Sequence, residues 1–337
     1  MKRASRRYAV LFIVLSLIAG TRSALSNDTA AELSIGGLQF ARSASVIMNS
    51  ELLQISLTSV RVRYQFVNTG TAPVALSVAF PLPDIDLSEG ENIAFPSSDP
   101  VNFVDFETKI DGKPTSFAID QRAFVGKNDV TSVLKELKLP ILPLGGQQLR
   151  SQDLSEATRS RLVERGLLTQ MGSDERGRPL YQPTWLVKTA VVREQQFPGD
   201  RPVTVEHAYR PIVGGNSDTI LRKALRQNKA MSQELEKYRK DYCITDAFLA
   251  QLDKIAGGGQ ANKAMIQERR VSYVLKTGAN WAGPIKDFRL LVDKAGKELL
   301  VSFCTGSLKQ SSEGALEFNA TDFTPDRDIK LLFLGRF

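Results

Sequence analysis

A chain of 337 residues with 42% hydrophobic content can bury a substantial core, and its length suggests two domains or one elaborated double-layer fold. Its formal net charge is +7, but five of its 44 basic residues and none of its 37 acidic residues fall within positions 1–26. The remainder therefore has 39 basic and 37 acidic residues, a net charge of +2, which argues against nucleic acid as a partner.

The first 26 residues have the pattern of a secretory signal peptide. Four basic residues precede an apolar run of 12 residues from Tyr8 to Ala19, which is well short of the roughly 20 that a helix needs to cross a bilayer. Small residues at positions 24 and 26 favour cleavage after Ser26, so we expect a periplasmic or secreted protein with no stable membrane span. An uncleaved anchor and the twin-arginine route, suggested by Ser5-Arg6-Arg7, are the alternatives.

The segment 27–125 is predicted to form an N-terminal β-sandwich. Apolar and polar residues alternate from Val60 to Phe66, and apolar residues share one face again from Val74 to Phe80. Because turn-forming residues separate the two runs, they predict a β-hairpin with one buried face. A second pairing, of 104–110 with 117–119, is predicted around Asp111-Gly112, and shorter strands are predicted at 33–40, 45–48 and 53–57.

The segment 126–182 changes to a helical period, most clearly from Asp153 to Leu168, and is predicted to be a helical linker or lid. Residues 172–183 are expected to form a polar loop because they contain several Gly and Pro residues.

A second β domain is predicted over 183–337, with a helical insertion at about 217–257. The insertion is predicted to hold two helices, the first from about Asp218 to Tyr242 and the second capped by Thr245. Strands are predicted to begin at Trp185 and to cover 203–209, 271–275, 288–292, 299–303 and 329–334.

These elements predict a mainly β protein with helical insertions, built as two antiparallel β-sandwich-like layers or subdomains. Each predicted strand has one apolar face, which a second layer must cover.

Cys243 and Cys304 are the two cysteines, and in an oxidising compartment an even pair favours a disulfide over two free thiols. A bond between them would pin the helical insertion onto the outside of the second β domain. Closing a loop of about 60 residues would stabilise the fold by about 4 kcal/mol.

His207 is the only histidine, so a catalytic triad or a histidine-rich metal site would have to use it. Its apolar strand neighbours instead indicate a buried, hydrogen-bonded histidine, with a pH-responsive contact as the alternative.

Two loops and one helix offer further candidates. The loop 84–92 has acidic residues at short spacing but departs from the calcium-binding template, so we expect a solvated loop. Asn280 and Trp281 lie in a Gly-containing loop that either presents the indole to a partner or folds it over the sheet end. The basic stretch 222–240 is expected to be a solvated helix face, with an acidic partner or anionic lipid as the alternative.

The sequence contains no phosphate-binding loop, nucleophile elbow, HExxH or CxxC motif. We therefore identify no catalytic, cofactor-binding or metal-binding residues, expect no cofactor, and favour a non-catalytic binding or scaffold protein of the cell envelope that contacts a protein or envelope component. A periplasmic hydrolase that uses carboxylates is the alternative, because paired acids need not be close in sequence.

Six segments form a recognisable pattern when taken together. They are VRVRYQFVN at 60–68, AFPLP at 79–83, HAYRP at 207–211, TGANWAGPI at 277–285, SFC at 302–304 and DFTP at 322–325. Their order and spacing resemble the bacterial exported proteins of the domain-of-unknown-function family 4424. The resemblance covers nearly all of the chain after residue 26 and implies export, but it implies no activity.

Residues 51–120 are more faintly similar to the VIT-like N-terminal β domain of the inter-alpha-trypsin inhibitor heavy chains. The similarity lies in a strand, an Asn-containing turn and the Phe80-Pro81-Leu82-Pro83 stop. It implies extracellular protein interaction, although the metal-binding adhesion domain that follows in that family is absent here.

Overall fold

A computed structural model describes residues 29–34, 37–41, 43–89, 92–144, 154–257, 265–294, 299–306, 308–311 and 314–337, with the backbone alone for 29–41. The strands are β1 (Thr29–Ser34), β2 (Gly37–Ala41), β3 (Val46–Ile55), β4 (Val60–Asn68), β5 (Val74–Pro81), β6 (Ile85–Asp86), β7 (Ile93–Ala94), β8 (Glu107–Ile110), β9 (Lys113–Pro114), β10 (Ala118–Val125), β11 (Asn128–Asp129), β12 (Leu168–Ser173), β13 (Pro179–Pro183), β14 (Leu186–Phe197), β15 (Val203–Tyr209), β16 (Val213–Asn216), β17 (Gln267–Tyr273), β18 (Ile285–Val292), β19 (Leu300–Ser302), β20 (Lys309–Gln310), β21 (Leu316–Phe323) and β22 (Ile329–Gly335). The helices are α1 (Thr131–Glu136), α2 (Glu156–Glu164), α3 (Lys223–Arg226), α4 (Ser232–Tyr242) and α5 (Asp246–Ile255), with 3₁₀ turns at Lys229–Met231 and Lys276–Asn280.

The described strands form three larger sheets and one separate hairpin. The first sheet has the order β11-β10-β14-β5-β1-β2, with β6 also paired to β14. The second has the order β20-β21-β18-β3-β4-β15-β8-β9, the third has the order β19-β22-β17-β16-β7, and β12 pairs with β13. Every described pairing is antiparallel except that of β3 with β18, which is parallel. The predicted fold class, mainly β with helical insertions and layered sheets, is confirmed.

One apolar core joins the three sheets. Val191 of the first sheet, Phe66 of the second and Phe333 of the third belong to it, and each is at most 1% exposed. These residues lie on the apolar faces that period-two alternation assigns to the interior of a sheet. Burial of these faces against one another is the main stabilising contribution to such a fold.

Strands from the segments 27–125 and 183–337 lie side by side in the same sheets. β4 pairs with β15, β5 pairs with β14, and β3 pairs with β18. The two segments therefore share their sheets as well as their core. The division at 125 and 183 into separately folding units stays a prediction.

The predicted hairpin of β4 with β5 is wrong. β4 pairs with β3 and β15 in the second sheet, whereas β5 pairs with β14 and β1 in the first. The turn between them carries the chain from one layer to the other, and the Asn68 amide nitrogen donates to the carbonyl oxygens of Ala72 and Phe197 at 2.8 and 3.0 Å. Turn residues show that the chain reverses direction, but they do not show whether the two strands pair or stack.

The predicted turn at Asp111-Gly112 is confirmed, since it joins β8 to β9, but the predicted return strand at 117–119 does not pair with β8. Asp111 and Gly112 have φ values of 49° and 77°, the left-handed geometry that tight hairpin turns need. The chain then enters β10, which leaves this sheet and pairs with β14.

The predicted loop at 172–183 is largely a β-hairpin, in which β12 pairs with β13. The Asp174 carboxylate closes its turn by accepting hydrogen bonds from the backbone amides of Arg176 and Arg178, both at 2.9 Å. Most of the hairpin's side chains are exposed, so the sequence lacks the apolar alternation that would have indicated strands.

The helical insertion differs from the prediction in its first half. Instead of one helix over 218–242, the chain forms α3, a 3₁₀ turn and α4, because the Asn228 side chain accepts a hydrogen bond from the Ala230 amide and starts a new helix. The predicted cap of α5 is confirmed, since the Thr245 hydroxyl accepts from the Phe248 amide at 3.1 Å.

A disulfide joins Cys243 to Cys304, with their Cα atoms 5.0 Å apart. Cys243 ends α4 in the left-handed conformation, with φ of 52°. Beside the bond, the Ser302 hydroxyl donates to the Tyr242 carbonyl oxygen at 2.8 Å. The bond therefore fixes the end of α4 to the edge of the third sheet.

Candidate functional site

A cleft of about 300 Å³ lies where α4 crosses the outer face of the third sheet, and we name it the polar cleft. It is lined by Pro83, Asp84, Glu89, Ile93, Ile212, Gly214, Glu234, Lys237, Tyr238, Asp241, Tyr242, Arg270, Ser272 and Lys330.

Helix α4 forms one wall of the polar cleft. Glu234, Lys237, Tyr238, Asp241 and Tyr242 follow one another at intervals of three or four residues or are adjacent, so a helix places them on one face. The two tyrosine rings are buried against the sheet, whereas Glu234 and Lys237 are exposed at the rim. The wall is therefore aromatic where it meets the sheet and charged where it meets solvent.

The floor of the polar cleft comes from β17 and β22. Ser272 and Lys330 are direct cross-strand neighbours, and Arg270 lies two residues before Ser272 on the same face. Asp241 of α4 forms an ion pair with Lys330 at 3.0 Å, which ties the helix wall to the floor.

A buried polar network lies at the inner end of the cleft. Glu268, which is 0% exposed, accepts hydrogen bonds through Oε1 from the Tyr238 hydroxyl at 2.8 Å and the Asn216 amide at 2.9 Å. The Arg270 guanidinium donates to the Tyr238 hydroxyl at 3.0 Å. The other Glu268 oxygen, Oε2, is buried and has no hydrogen-bond partner among the described residues. This network fixes the orientation of Tyr238 and Arg270, which reach into the cleft.

The electrostatic surroundings perturb Tyr238. Burial raises the pKa of its phenol above the usual value, and the charge of Glu268 raises that pKa further. Tyr238 is therefore a neutral hydroxyl at physiological pH. Strong perturbation of a titratable group in a cleft is one mark of a functional site.

The charged groups at the rim fall into two sets. Asp84 pairs with Lys188, and Asp241 pairs with Lys330, each at 3.0 Å. Glu89, Glu234 and Lys237 have no ion-pair partner within the described ranges. The rim of the polar cleft therefore carries an unpaired cation and unpaired anions, and hydrogen bonds fix the side chains at its inner end.

A second open depression, of about 460 Å³, lies on the outer face of the second sheet. Its side chains are those of a solvated antiparallel sheet, with a cross-strand ion pair between Arg63 and Glu206 at 3.8 Å. It has no buried polar network among the described residues, so we regard the polar cleft as the stronger candidate.

Asp84 and Glu89 of the loop 84–92 line the polar cleft. The Asp86 carboxylate accepts hydrogen bonds from the amide and hydroxyl of Ser88 at 2.8 and 2.6 Å. Residues 90 and 91 lie outside the described residues. Within the described ranges, no group of three or more His, Cys, Asp or Glu side chains is arranged to hold a metal ion.

Asn280 and Trp281 are buried, at 2% and 3% exposure. The indole lies 4.4 Å from the Phe66 ring and 5.8 Å from the Phe197 ring, measured between centroids. This loop therefore folds over the sheet end, the second of the two alternatives, and does not present the indole to solvent.

The basic stretch 222–240 is divided among local ion pairs and the cleft. Arg222 pairs with Asp218, and Arg226 pairs with Asp253. Lys237 is the one basic residue of this stretch that lines the polar cleft. The polar cleft was not predicted from the sequence, although Glu234, Lys237 and Asp241 recur at helical spacing.

His207 lies on β15 in the core, 2% exposed, with its ring 5.0 Å from both Phe80 and Phe106. It is buried as expected, but its ring nitrogens have no hydrogen-bond partner among the described residues. Burial lowers the pKa of His207 well below its usual value, and the nearby Arg193 charge lowers it further. His207 is therefore neutral and takes no part in the cleft.

We expect His207→Leu to reduce the acid sensitivity of the fold. The unfolded chain takes up a proton at His207 near pH 6.5, but the folded chain does not, so wild-type stability falls as the pH falls through this value. This effect should cost the wild type about 1–2 kcal/mol between about pH 7.5 and about pH 5, and the variant should lack it. Urea denaturation of both proteins at both pH values measures the difference, and an equal pH dependence would contradict the prediction.

The described helices include none with the length and apolar character needed to cross a membrane. The predicted signal peptide and the cleavage point after Ser26 lie outside the described residues.

Comparison with known proteins identifies a family but no activity. The family model named Domain of unknown function (DUF4424) matches residues 26–332. No curated protein sequence matches the chain. The faint likeness of residues 51–120 to the inter-alpha-trypsin inhibitor heavy chains stays a prediction.

Two similar solved structures have low scores. A crystal structure from Legionella pneumophila, described as a candidate nutrient binding protein, is 14% identical with a TM-score of 0.43, over 87% of this chain and 68% of that one. Native yeast LTA4 hydrolase is 10% identical with a TM-score of 0.30, over 86% of this chain and 29% of that one. Neither likeness is strong enough to support an argument about fold or function.

Proposed function

The chain belongs to the DUF4424 family, and for this member we propose a non-catalytic function: an exported protein of the cell envelope that binds a small polar solute in the polar cleft. The observation that carries this proposal is the combination of unpaired charges of both signs with a buried polar network in one cleft. Binding sites of this kind place a few fixed polar groups around a concave surface.

Export is supported by the signal-like residues 1–26 and by the disulfide between Cys243 and Cys304. Disulfides persist in oxidising compartments and are rare in the cytosol. The periplasm or the cell exterior is therefore the proposed location.

The solute class follows from the charges. An anionic group on the solute would meet Lys237, and a cationic group would meet Glu89 or Glu234. Lys237, Glu89 and Glu234 are exposed at the rim, so a solute with charges of both signs can pair with both kinds of group, whereas a solute with a single charge can pair with only one kind. We therefore propose a zwitterionic solute, of the kind represented by free amino acids and short peptides.

Calorimetric titration tests the proposed solute class. The probes are free amino acids and dipeptides, each compared with its N-acetyl derivative, which lacks the cation, and its amide, which lacks the anion. At least one free zwitterion should bind, and both of its derivatives should bind about tenfold more weakly, because a charged hydrogen bond contributes about 1.5–3 kcal/mol. Failure of every zwitterion to bind, or equal binding of the derivatives, would contradict the proposal.

Two matched pairs of variants locate the binding. Lys237→Met and Glu234→Gln should each weaken the binding of that zwitterion about tenfold or more. Lys240 and Glu236 are exposed on the same helix but do not line the polar cleft. The control variants Lys240→Met and Glu236→Gln should therefore leave binding unchanged. Equal effects within a pair would place the site elsewhere.

The alternative function, a periplasmic carboxylate-based hydrolase, is favoured by one feature, since Glu89 and Glu234 are two unpaired acids in one cleft. Hydrolysis by two carboxylates would consume the bound molecule. Mass analysis of the titrated solutes after incubation separates the two functions, because a binding protein returns the solute intact.

A further inference from the structure

A second, apolar pocket opens beside the disulfide, on the opposite face of β22 from the polar cleft. Ile329 lines this apolar pocket, whereas the next residue, Lys330, lines the polar cleft. Successive strand residues point to opposite faces of a sheet, so the two sites are neighbours separated by the strand. The volume of the apolar pocket is about 280 Å³.

Aromatic rings form the walls of the apolar pocket. The Phe288 ring stacks with the Phe323 ring at 4.7 Å between centroids, and the Phe318 ring lies 6.1 Å from the first and 5.9 Å from the second. Leu275 and Leu290, both buried, lie deeper in the pocket. The pocket therefore presents rings and aliphatic groups to whatever occupies it.

The two charged side chains at the rim of the apolar pocket form an ion pair with each other. Arg327 donates two hydrogen bonds to the Asp326 carboxylate, both at 3.1 Å, and both side chains are exposed. Because this pair is neutral as a unit, the rim does not select a net charge on the ligand. The disulfide of Cys243 and Cys304 completes the lining with polarisable sulfur.

We propose that the apolar pocket binds an uncharged, compact aromatic molecule of about two fused rings. An opening of about 280 Å³ between the second and third sheets, lined by three phenylalanine rings, has room for a ligand of this size. An apolar cavity of about 150 Å³ accepts benzene, and the present volume is nearly twice that. Offset or edge-to-face contact with the phenylalanine rings would hold such a ligand. This inference is independent of the solute proposed for the polar cleft.

Titration with 2-naphthol, an uncharged two-ring probe with its own fluorescence, tests the proposal on the full exported chain. Binding should be saturable, with one molecule per chain, and a large excess of the zwitterion panel should not displace the probe. Phe318→Leu removes one wall and should weaken 2-naphthol binding about threefold to tenfold. Phe124→Leu, at a half-buried phenylalanine outside the pocket, is the matched control and should leave binding unchanged.

Gly306→Ala provides a second variant that does not remove a ring. A Cβ atom at this position would lie 2.9 Å from Cε2 of Phe318, so the ring must move and reshape the pocket. We expect Gly306→Ala to bind 2-naphthol more weakly than the wild type does. If Phe318→Leu does not fold, Gly306→Ala is sufficient to test the proposal. Absence of saturable binding, or equal affinities for wild type, Gly306→Ala and Phe124→Leu, would overturn the proposal.

Discussion

Replacing Cys243 and Cys304 together by serine is expected to lower the free energy of unfolding by about 4 kcal/mol. The bond closes a chain segment with a sequence separation of 61 residues, and removing it returns that loop entropy to the unfolded state. The bond also fixes the end of α4 to the third sheet, so its loss should first loosen the helical insertion. Urea denaturation of the variant and the oxidised wild type measures the change.

Limited proteolysis adds a local measurement to the same variant. Cleavage should become fastest within 218–257, because this insertion is joined to the sheet by the bond and by the small core around Leu252 and Leu332. Solute binding in the polar cleft should weaken as well, since α4 is one of its walls. A stability loss below about 1 kcal/mol, with no new cleavage in the insertion, would show that the bond does not hold this unit.

Replacing Trp281 by alanine is expected to lower the free energy of unfolding by about 3–5 kcal/mol. The indole is 3% exposed and packs on Phe66 and Phe197, so the variant would lose these ring contacts and leave a cavity beside the two rings. Denaturant midpoints of wild type and variant give the difference.

The matched control for Trp281→Ala is Val101→Ala, because Val101 is 48% exposed and its truncation should change stability by less than about 0.5 kcal/mol. If Trp281→Ala behaved like this control, the indole would lie on the surface. The loop would then regain its role as a candidate interaction surface, and the packing described for the sheet end would be wrong.

The sequence predicted individual strands better than it predicted their neighbours. Alternation from Val60 to Phe66 gave the buried face of β4 correctly, since a strand with one buried face must alternate. One of the two partners of β4 is β15, more than a hundred residues further along the chain, and no local pattern encodes such a pairing. A turn such as 68–71 fits a hairpin and a change of layer equally well.

Local capping chemistry decided which helical boundaries were predictable. Thr245 was identified as a cap because it precedes an apolar helical pattern, and the hydrogen bond to the Phe248 amide is present. Asn228 interrupts the preceding helix through the same chemistry, but its surroundings are polar and carry no second signal. The boundary was therefore missed.

The polar cleft could not be assembled from the sequence, because its walls come from distant segments. The loop 84–92 was evaluated as a calcium loop and 222–240 as a charged helix, each alone. The structure places Glu89 of the first and Lys237 of the second on one cleft. Glu268, the centre of the buried network, lies in β17, which begins at Gln267, four residues before the predicted strand start at Val271.

Native mass spectrometry of the intact protein, released from its own envelope fraction, shows in one experiment whether the chain is exported and whether it holds a small solute in the polar cleft. We expect a chain that begins at Asn27 and carries a small bound molecule, with lower occupancy by that molecule in Lys237→Met prepared in parallel. A chain that retains residues 1–26, or an identical bound state in the two proteins, would contradict the account.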